Sequence, residues 1–308
     1  MIRIRWIVSI LLMPFLWGRS KPLVRPDRIG WNPSLTPQTI QIRGHTIFYA
    51  VKGEGNPLIL IHGYGAGMWV WEKQIEILSH SFRVYALDLL GHGFSDRPKI
   101  HYTAEAYIHF LKDFMVGVGI EKATLIGNSM GGGIAWAVAA VFPERVEKLI
   151  LINCIPPDVL DQVRNDSFRA LVAIKDIPLL PHLVIATRSR RSIKWILHEC
   201  VSNIKLITPK ILDRQYQLSK IKGTTWVLYS TFKNAKEAPK LKDYLSKINQ
   251  PTLLLWGERD LIFPPSVGEG LHQAIKGSKF QVIGKSGHIP MWETPEKVNQ
   301  AILSFLKD

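Results

Sequence analysis

Short apolar runs alternate with segments of helical spacing along most of this chain of 308 residues. Runs such as Pro57–Ile61 and Thr252–Trp256 are apolar on both faces, as strands are when helices cover a mainly parallel sheet on each side. The pattern predicts a doubly wound α/β fold that opens with an antiparallel hairpin. The predicted strands are Thr39–Arg43, Thr46–Val51, Pro57–Ile61, Phe82–Leu87, Ala123–Ile126, Val146–Ile152, Thr252–Trp256 and Lys279–Ile283, and the predicted helices are Trp71–Leu78, Ala104–Val118, Gly131–Val141, Gly268–Ile275 and Glu296–Leu306.

The alternation stops after the sixth strand. Residues 155–247 favour helices that prolines interrupt, and the strand pattern then resumes. We therefore predict a helical cap at 155–247, inserted into an α/β core that comprises 39–154 and 248–308. An insertion at this point lies over the carboxyl edge of the strands, where open α/β sheets bind their ligands.

The first 38 residues form a separate part of the sequence. An apolar run from Trp6 to Trp17 has arginine or lysine on both sides, but it is shorter than the roughly 20 residues of a spanning helix. No small-residue cleavage site follows it. We predict a hydrophobic anchor or signal-like segment at 1–20 and a proline-rich linker at 21–38. Membrane association is the expected localisation. A secreted or periplasmic protein, or a helix packed on the core, are the alternatives.

The net charge of +14 is concentrated in two segments. Residues 1–28 sum to +5 and residues 155–247 to +9, whereas the rest of the chain is neutral. Such a distribution favours contact with an anionic membrane surface. The sequence has no nucleic-acid reader motif, which argues against a nucleic-acid partner. One stretch of the cap joins cations to apolar neighbours and is the predicted membrane-facing group: Arg188, Arg190, Arg191, Lys194, Trp195 and Ile196.

The two cysteines, Cys154 and Cys200, have neither metal-ligand spacing nor a disulfide framework around them. Two unpaired thiols are expected, and a single bridge between them stays open. The sequence has no phosphate loop, dinucleotide fingerprint or metal-ligand cluster, so neither a cofactor nor a metal is expected. The oligomeric state is left open.

The motif Gly127-Asn128-Ser129-Met130-Gly131 lies between a predicted strand and a predicted helix. A sharp strand-to-helix turn needs small neighbours, and it presents the serine hydroxyl above the sheet at the amino end of the helix. Ser129 is therefore the candidate nucleophile.

A glycine-rich loop after the third strand reads His62-Gly63-Tyr64-Gly65. The backbone N–H groups of Tyr64 and Met130 are the predicted oxyanion-hole donors. His62 lies at the root of this loop, and a bracing role is expected for it rather than a role as the base.

Two further strand ends complete the predicted site. Asp260 follows the seventh strand and His288 follows the eighth, on the same sheet edge as Ser129. An unassisted serine is a poor nucleophile: it needs an imidazole to take its proton and a carboxylate to fix the imidazole tautomer. His288 is the predicted base and Asp260 the predicted acid. Glu258 is the competing candidate for the acid, but its position close to the strand makes its longer side chain less suitable.

Residues 39–308 resemble the α/β-hydrolase superfamily through these motifs and through the loop at 88–98, Asp-Leu-Leu-Gly-His-Gly-Phe-Ser-Asp-Arg-Pro, whose expected role is structural. The resemblance implies hydrolysis of a carboxylic ester through an acyl-enzyme. Serine at the nucleophile position sets the chain apart from haloalkane dehalogenases and epoxide hydrolases, which use an aspartate there. With its apolar N-terminus and cationic cap, the chain is similar to anchored monoacylglycerol lipases and lysophospholipases, which implies a lipid-like acyl ester as substrate.

Two other functions stay open at this point. The run 127–132, Gly-Asn-Ser-Met-Gly-Gly, also resembles the elbow of carbon–carbon bond hydrolases that cleave ring-fission products. Those proteins often carry tryptophan directly after the histidine, where this chain has Ile289. The second alternative is a ligand receptor that retains the triad and turns over slowly.

Overall fold

Eight strands form a single sheet in the order β1-β2-β4-β3-β5-β6-β7-β8 in the computed structural model, which describes residues 37–307. Strand β2 pairs antiparallel with β1 and β4, and all other neighbours are parallel. The strands are β1 Pro37–Ile42, β2 His45–Lys52, β3 Pro57–Ile61, β4 Arg83–Leu87, β5 Ala123–Asn128, β6 Val146–Ile152, β7 Thr252–Gly257 and β8 Lys279–Ile283.

Helices cover both faces of the sheet and fill the connection between β6 and β7. They are α1 Glu72–Leu78, α2 Ala104–Gly117, α3 Met130–Val141, α4 Val159–Gln162, α5 Asp166–Ala173, α6 Leu180–Ala186, α7 Arg190–Cys200, α8 Pro209–Ser219, α9 Thr224–Asn234, α10 Pro265–Ala274, α11 Pro290–Glu293 and α12 Pro295–Lys307. Short 3₁₀ segments lie at Met68–Trp71, Pro143–Arg145, Ile204–Leu206 and Ala235–Lys247. The predicted sheet with a helical insertion after its sixth strand is confirmed.

Each central strand contributes to two apolar cores. In β3, Ile59 and Ile61 pack on one face of the sheet, and Leu58 and Leu60 pack on the other. Helices α2, α3 and α10 cover the first face, and α1 and α12 cover the second. Because both faces are buried, the strands lack the alternation of polar and apolar residues that a half-exposed sheet would need.

The structure differs from the sequence prediction mainly at element ends. Strand β1 begins at Pro37, two residues before the predicted core, and residues 21–36 of the predicted linker lie outside the described residues. Proline is tolerated at the first position of an edge strand because the N–H that it lacks is not needed there for pairing with a neighbouring strand. Helix α10 begins at Pro265 rather than at Gly268, with proline in its first turn. The predicted anchor at 1–20 lies outside the described residues.

The cap helices have small apolar cores of their own. Leu171, Ile185, Leu228 and Phe232 form one, and Ile193, Leu197 and Leu212 form another. No helix within residues 37–307 has the length and apolar character needed to cross a membrane. Both cysteines are free thiols: Cys154 is buried and Cys200 is half-buried.

The start of α3 lies against the end of β3. A Cβ atom on Gly131 would come within 2.1 Å of the carbonyl oxygen of Ile61, and one on Gly127 within 2.3 Å of the carbonyl oxygen of Gly131. Backbone atoms cannot give way as a flexible side chain does, so both positions require glycine.

We expect Gly131→Ala to lower the free energy of unfolding by at least about 2 kcal/mol, because helix α3 must move away from β3 to admit the methyl group. Gly270→Ala is the matched control, since its Cβ meets nothing within 4 Å on exposed helix α10. Gly270→Ala should raise the free energy of unfolding by about 0.5–1 kcal/mol, because alanine favours a helix more than glycine does. Urea unfolding followed by circular dichroism measures both, and equal effects of the two changes would contradict this account.

Candidate active site

Ser129 occupies a strained turn between β5 and α3. Its backbone angles are φ 53° and ψ −119°, a conformation that residues with a side chain rarely adopt and that costs about 1–3 kcal/mol. The strain is held by backbone bonds: Ser129 N–H donates to Ile152 O at 3.0 Å, and Ser129 O accepts from the amides of Gly133 and Ile155. The turn places Ser129 in the wall of the cavity beneath the cap.

His288 and Asp260 form a buried pair. His288 Nδ1 lies 2.8 Å from Asp260 Oδ2. Because a carboxylate oxygen can only accept, Nδ1 carries the proton and Nε2 is left as a free base. Glu258, the competing acid, instead accepts from the amide of Lys285 at 3.0 Å and lies 3.7 Å from the side chain of Arg259.

The Asp260 carboxylate accepts three more hydrogen bonds. The side-chain amide of Asn153 donates to Oδ2 at 2.7 Å, and the backbone amides of Ile262 and Phe263 donate to Oδ1 at 2.8 and 3.1 Å. Both oxygens are therefore fixed, which fixes the imidazole in turn. Asn153 lies just past the end of β6 with φ 44°, and its Oδ1 also accepts from the amide of Gly257.

The loop that carries His288 is held by residues from several elements. The backbone N–H of His288 donates to Cys200 O at 2.9 Å, and the carbonyl of His288 accepts from the side chain of Asn128 at 3.0 Å. Glu293 accepts from the amides of Gly287 and Ser202, which joins the histidine loop to the segment after α7. Sequence reasoning missed the roles of Asn128, Asn153 and Glu293. A polar residue directly after a buried strand was an available signal for Asn153.

The loop after β3 forms a tight turn beside Ser129. The amide of Ala66 donates to Gly63 O at 3.2 Å, and Gly65 adopts φ 70° in the third position of the turn, where a positive φ favours glycine. The N–H groups of Tyr64 and Met130 have no acceptor among the described residues, and both residues line the cavity with Ser129 and His288.

His62 braces this loop. Its Nδ1 donates to Gly63 O at 2.8 Å, and its Nε2 accepts from the amide of Leu89 at 3.1 Å. Burial lowers the pKa of His62 to about 4, so the ring is neutral at physiological pH. Asp88, the first residue of the 88–98 loop, accepts from the amides of Met68 and Phe94, although burial raises the pKa of its carboxyl to about 6. Both residues have structural partners, as the sequence predicted.

The cavity beneath the cap has about 1160 Å³ of empty space when it is measured out to its open mouth. Its wall is mostly aliphatic and aromatic. Core residues and helices α4, α5, α7, α8 and α9 contribute to it, including Val159, Phe168, Leu197, Phe232, Ile262 and Phe263. Among the described residues that line it, none is a lysine or an arginine.

No group of three or more histidine, cysteine, aspartate or glutamate side chains within residues 37–307 is placed to hold a metal ion. The groups that can act chemically at this sheet edge are the serine hydroxyl, the imidazole with its carboxylate, and the two free backbone amides. That set can take a proton from a hydroxyl and stabilise an oxyanion.

Comparison with known proteins identifies the family of the fold. A model of the alpha/beta hydrolase fold matches residues 56–295. Epoxide hydrolase 4 of Mus musculus is 29% identical over 326 residues, which cover 97% of this chain and 90% of the relative. A 2-hydroxy-6-oxononadienedioate/2-hydroxy-6-oxononatrienedioate hydrolase of Paraburkholderia phymatum is 29% identical over 270 residues, with 84% and 90% covered.

Among solved structures, a membrane phospholipase A is 29% identical with a TM-score of 0.72, and the match covers 89% of this chain and 86% of that one. The family model spans well over half of the chain. The chain therefore belongs to the alpha/beta hydrolase family.

Proposed function

We propose that the protein is a serine hydrolase that cleaves carboxylic esters of lipid-like molecules, such as monoacylglycerols or lysophospholipids. Ser129 is the nucleophile, His288 the base and Asp260 the residue that orients the base. The observation that carries this proposal is the cavity itself. It joins Ser129 and His288 to a long apolar wall in which the described residues include no cation.

The reaction proceeds in two halves. His288 Nε2 takes the proton of Ser129 as its Oγ attacks the ester carbonyl carbon, and the carbonyl electron pair moves onto oxygen. The N–H groups of Tyr64 and Met130 bind that oxyanion. The intermediate collapses, His288 protonates the departing alkoxide, and an acyl-enzyme remains. Water that His288 deprotonates then releases the acid and restores Ser129.

The apolar wall favours a fatty acyl chain. Burying a methylene group contributes about 0.8 kcal/mol, so a chain lying along Phe168, Leu197 and Phe232 would contribute most of the binding energy. A neutral ester also needs no counter-ion in the cavity. We place the acyl chain beneath the cap and the head group towards the mouth.

Carbon–carbon bond hydrolysis is a second candidate because a relative bears the name of such a hydrolase. The name of its substrate describes a dioate, that is, a compound with two carboxylates. Burying a carboxylate without a cation or several donors is costly. The cavity wall offers no lysine or arginine among its described residues, and Ile289 follows His288. These features favour the neutral ester.

Epoxide hydrolysis is disfavoured by the chemistry of serine, although a relative is named an epoxide hydrolase. A carboxylate that opens an epoxide gives an ester, which water can cleave at its carbonyl. A serine hydroxyl would give an ether, which has no carbonyl for water to attack. With Ser129 as nucleophile, an epoxide would therefore block the protein rather than turn over.

A substrate panel tests the function. We expect the fastest hydrolysis on monoacylglycerols or lysophospholipids, slower hydrolysis of short p-nitrophenyl esters, and negligible cleavage of a ring-fission dienoate. Ser129→Ala should lower kcat by at least about four orders of magnitude and abolish labelling by a fluorophosphonate. Preference for the dienoate would replace the ester by the carbon–carbon reaction. Labelling without turnover on any substrate would indicate the receptor.

The assignment of the acid has its own test in a matched pair of carboxylates. Asp260→Asn should lower kcat by about 10⁴-fold, because an amide at this position favours the wrong imidazole tautomer. Glu258→Gln should change kcat by less than about threefold, since exposed Glu258 is bonded to Lys285 instead. Steady-state rates on p-nitrophenyl butyrate measure both. Comparable losses in the two variants would show that the acid is misassigned.

We also propose that the cap contacts a membrane surface, with a revised set of residues. Arg188 does not belong to an exposed cationic group, because its guanidinium donates to the carbonyls of Ile185 and Ser219 inside the cap. Arg190 pairs with Asp213, and Ile196 lines the cavity. Arg191, Lys194 and Trp195 are exposed.

A second exposed apolar group lies just before and within α6. Ile177, Leu179 and Leu183 are 49%, 70% and 48% exposed, and Leu179 adopts φ 63°. Exposed leucine and isoleucine side chains of this kind are typical of segments that enter the interfacial region of a bilayer. The proposed membrane-facing surface therefore consists of this group together with Arg191, Lys194 and Trp195, and it no longer includes Arg188 and Ile196.

Changing Ile177, Leu179 and Leu183 together to serine should lower activity on long-chain monoacylglycerol in anionic vesicles several-fold, because less apolar surface enters the bilayer. Activity on a soluble short ester should stay within about twofold, since these side chains lie outside the cavity. Val116→Ser, which removes a similarly exposed apolar residue from α2, is the control. Equal vesicle activity for all three proteins would contradict membrane contact at this surface.

A further inference from the structure

The oxyanion loop, Gly63–Gly67, is held from the cap as well as from the core. Gln215 on α8 donates from Nε2 to Gly65 O at 2.6 Å. Tyr64 donates from its phenol to Leu228 O on α9 at 2.7 Å. The two central residues of the turn are thus each fixed by a different cap helix.

Gln215 is suited to this contact in both position and orientation. A carbonyl oxygen only accepts, so the amide nitrogen must face Gly65, and flipping the amide would set oxygen against oxygen. The other atom of the amide, Oε1, is buried and has no partner among the described residues. The bond to Gly65 is therefore the hydrogen bond that a change at Gln215 removes, and the side chain also lines the cavity.

The neighbouring residue seats this part of α8 on the core. Arg214 is buried, its Nη1 lies 3.0 Å from Glu72 Oε1, and its guanidinium lies 5.4 Å from the centre of the Trp69 ring. Helix α8 is consequently fixed beside the loop, and Gln215 reaches Gly65 from a rigid support.

We propose that Gln215 is a positioning residue for the oxyanion hole, an inference that rests on the proposed ester hydrolysis at Ser129. A loop with glycines at 63, 65 and 67 has little rigidity of its own. An oxyanion donor acts only when it lies about 2.7–3.1 Å from the developing charge. By fixing Gly65 O, Gln215 limits rotation of the adjoining peptide groups and keeps the N–H of Tyr64 directed at the reacting oxygen.

The test compares Gln215→Met with Ser230→Ala. Ser230 also joins the cap to the core, because its Oγ accepts from the amide of Tyr102 at 3.0 Å, but it does not line the cavity. On p-nitrophenyl butyrate we expect Gln215→Met to lower kcat about tenfold while KM stays within about twofold, because only the transition state needs the aligned donor. Ser230→Ala should leave both constants within about twofold, whatever its loss of thermal stability.

An inhibitor pair separates positioning from stability. Ser129 Oγ adds to the carbonyl carbon of a trifluoromethyl ketone, its proton passes to His288, and the carbonyl electron pair becomes an oxyanion in the hole. Gln215→Met should weaken this inhibitor by the same factor as kcat/KM and leave the matching methyl ketone unaffected. A loss of affinity for both ketones, or equal losses in Gln215→Met and Ser230→Ala, would overturn the proposal.

Gln215→Glu provides a second variant. The ionised carboxylate repels Gly65 O, whereas the protonated carboxyl donates to it, so the ratio of variant to wild-type kcat should rise as the pH falls from about 8 to about 5.5. A ratio that does not change with pH would count against positioning. If the wild type neither hydrolyses the ester nor binds the trifluoromethyl ketone, the proposed function fails together with this inference. If the wild type hydrolyses the ester and binds the trifluoromethyl ketone, but Gln215→Met and Gln215→Glu behave like Ser230→Ala, this inference alone fails.

Discussion

The close approach of helix α3 to strand β3 is the constraint on which the proposed site depends. Gly131 allows its backbone to touch that of Ile61, and Gly127 allows the turn between β5 and α3 to close on itself. Ser129 is thereby forced to φ 53°, with its hydroxyl at the amino end of the helix. The turn also makes Met130 the first residue of helix α3, and its N–H is free because the first amides of a helix have no partner within the helix. One packing contact thus positions both the proposed nucleophile and one of the proposed oxyanion donors.

The remaining groups meet the serine because parallel strands end at one edge. Asp260 follows β7 and His288 follows β8, so the strand order brings them close, and the two loops are joined by the bond from the amide of Arg259 to Ser286 O at 2.8 Å. Strand ends alone do not fix side chains, however. Asn153, Asn128 and Glu293 add hydrogen bonds to the carboxylate, to the histidine carbonyl and to the histidine loop. The sheet places the groups, and these polar residues orient them.

Local sequence signals account for what could be predicted. Apolar runs and glycine motifs identified all eight strands and the strand ends at Ser129, Asp260 and His288, because each signal lies within a few residues of its effect. The supporting contacts lack such a signal. Asn153 and Asp260 are separated by 107 positions, and Gln215 and Gly65 by 150. Arg188 was expected at the surface because its charge was counted without the carbonyls that surround it. Long-range hydrogen bonds and the burial of a charge can be identified only when the fold is known.

The cap divides into two parts by its hydrogen bonds. Helices α8 and α9 are bonded to the oxyanion loop through Gln215 and Tyr64, so moving them would release the loop that carries the proposed donor Tyr64. The hydrogen bonds described for α5 and α6 lead to other cap residues, such as the bond from the amide of Ser167 to Glu199. The apolar side chains of α5 and α6 still reach the oxyanion loop, because the rings of Phe168 on α5 and Tyr64 lie 6.0 Å apart, and Leu171 and Ile185 pack in one cluster with Leu228. The exposed apolar group at Ile177, Leu179 and Leu183 belongs to this α5–α6 segment. Under the proposed function, an acyl chain that enters beside α5 and α6 would leave the hydrogen bonds of Gln215 and Tyr64 in place but would have to pass the contact between Phe168 and Tyr64, whereas one that enters between α8 and the core would break the bond from Gln215 to Gly65.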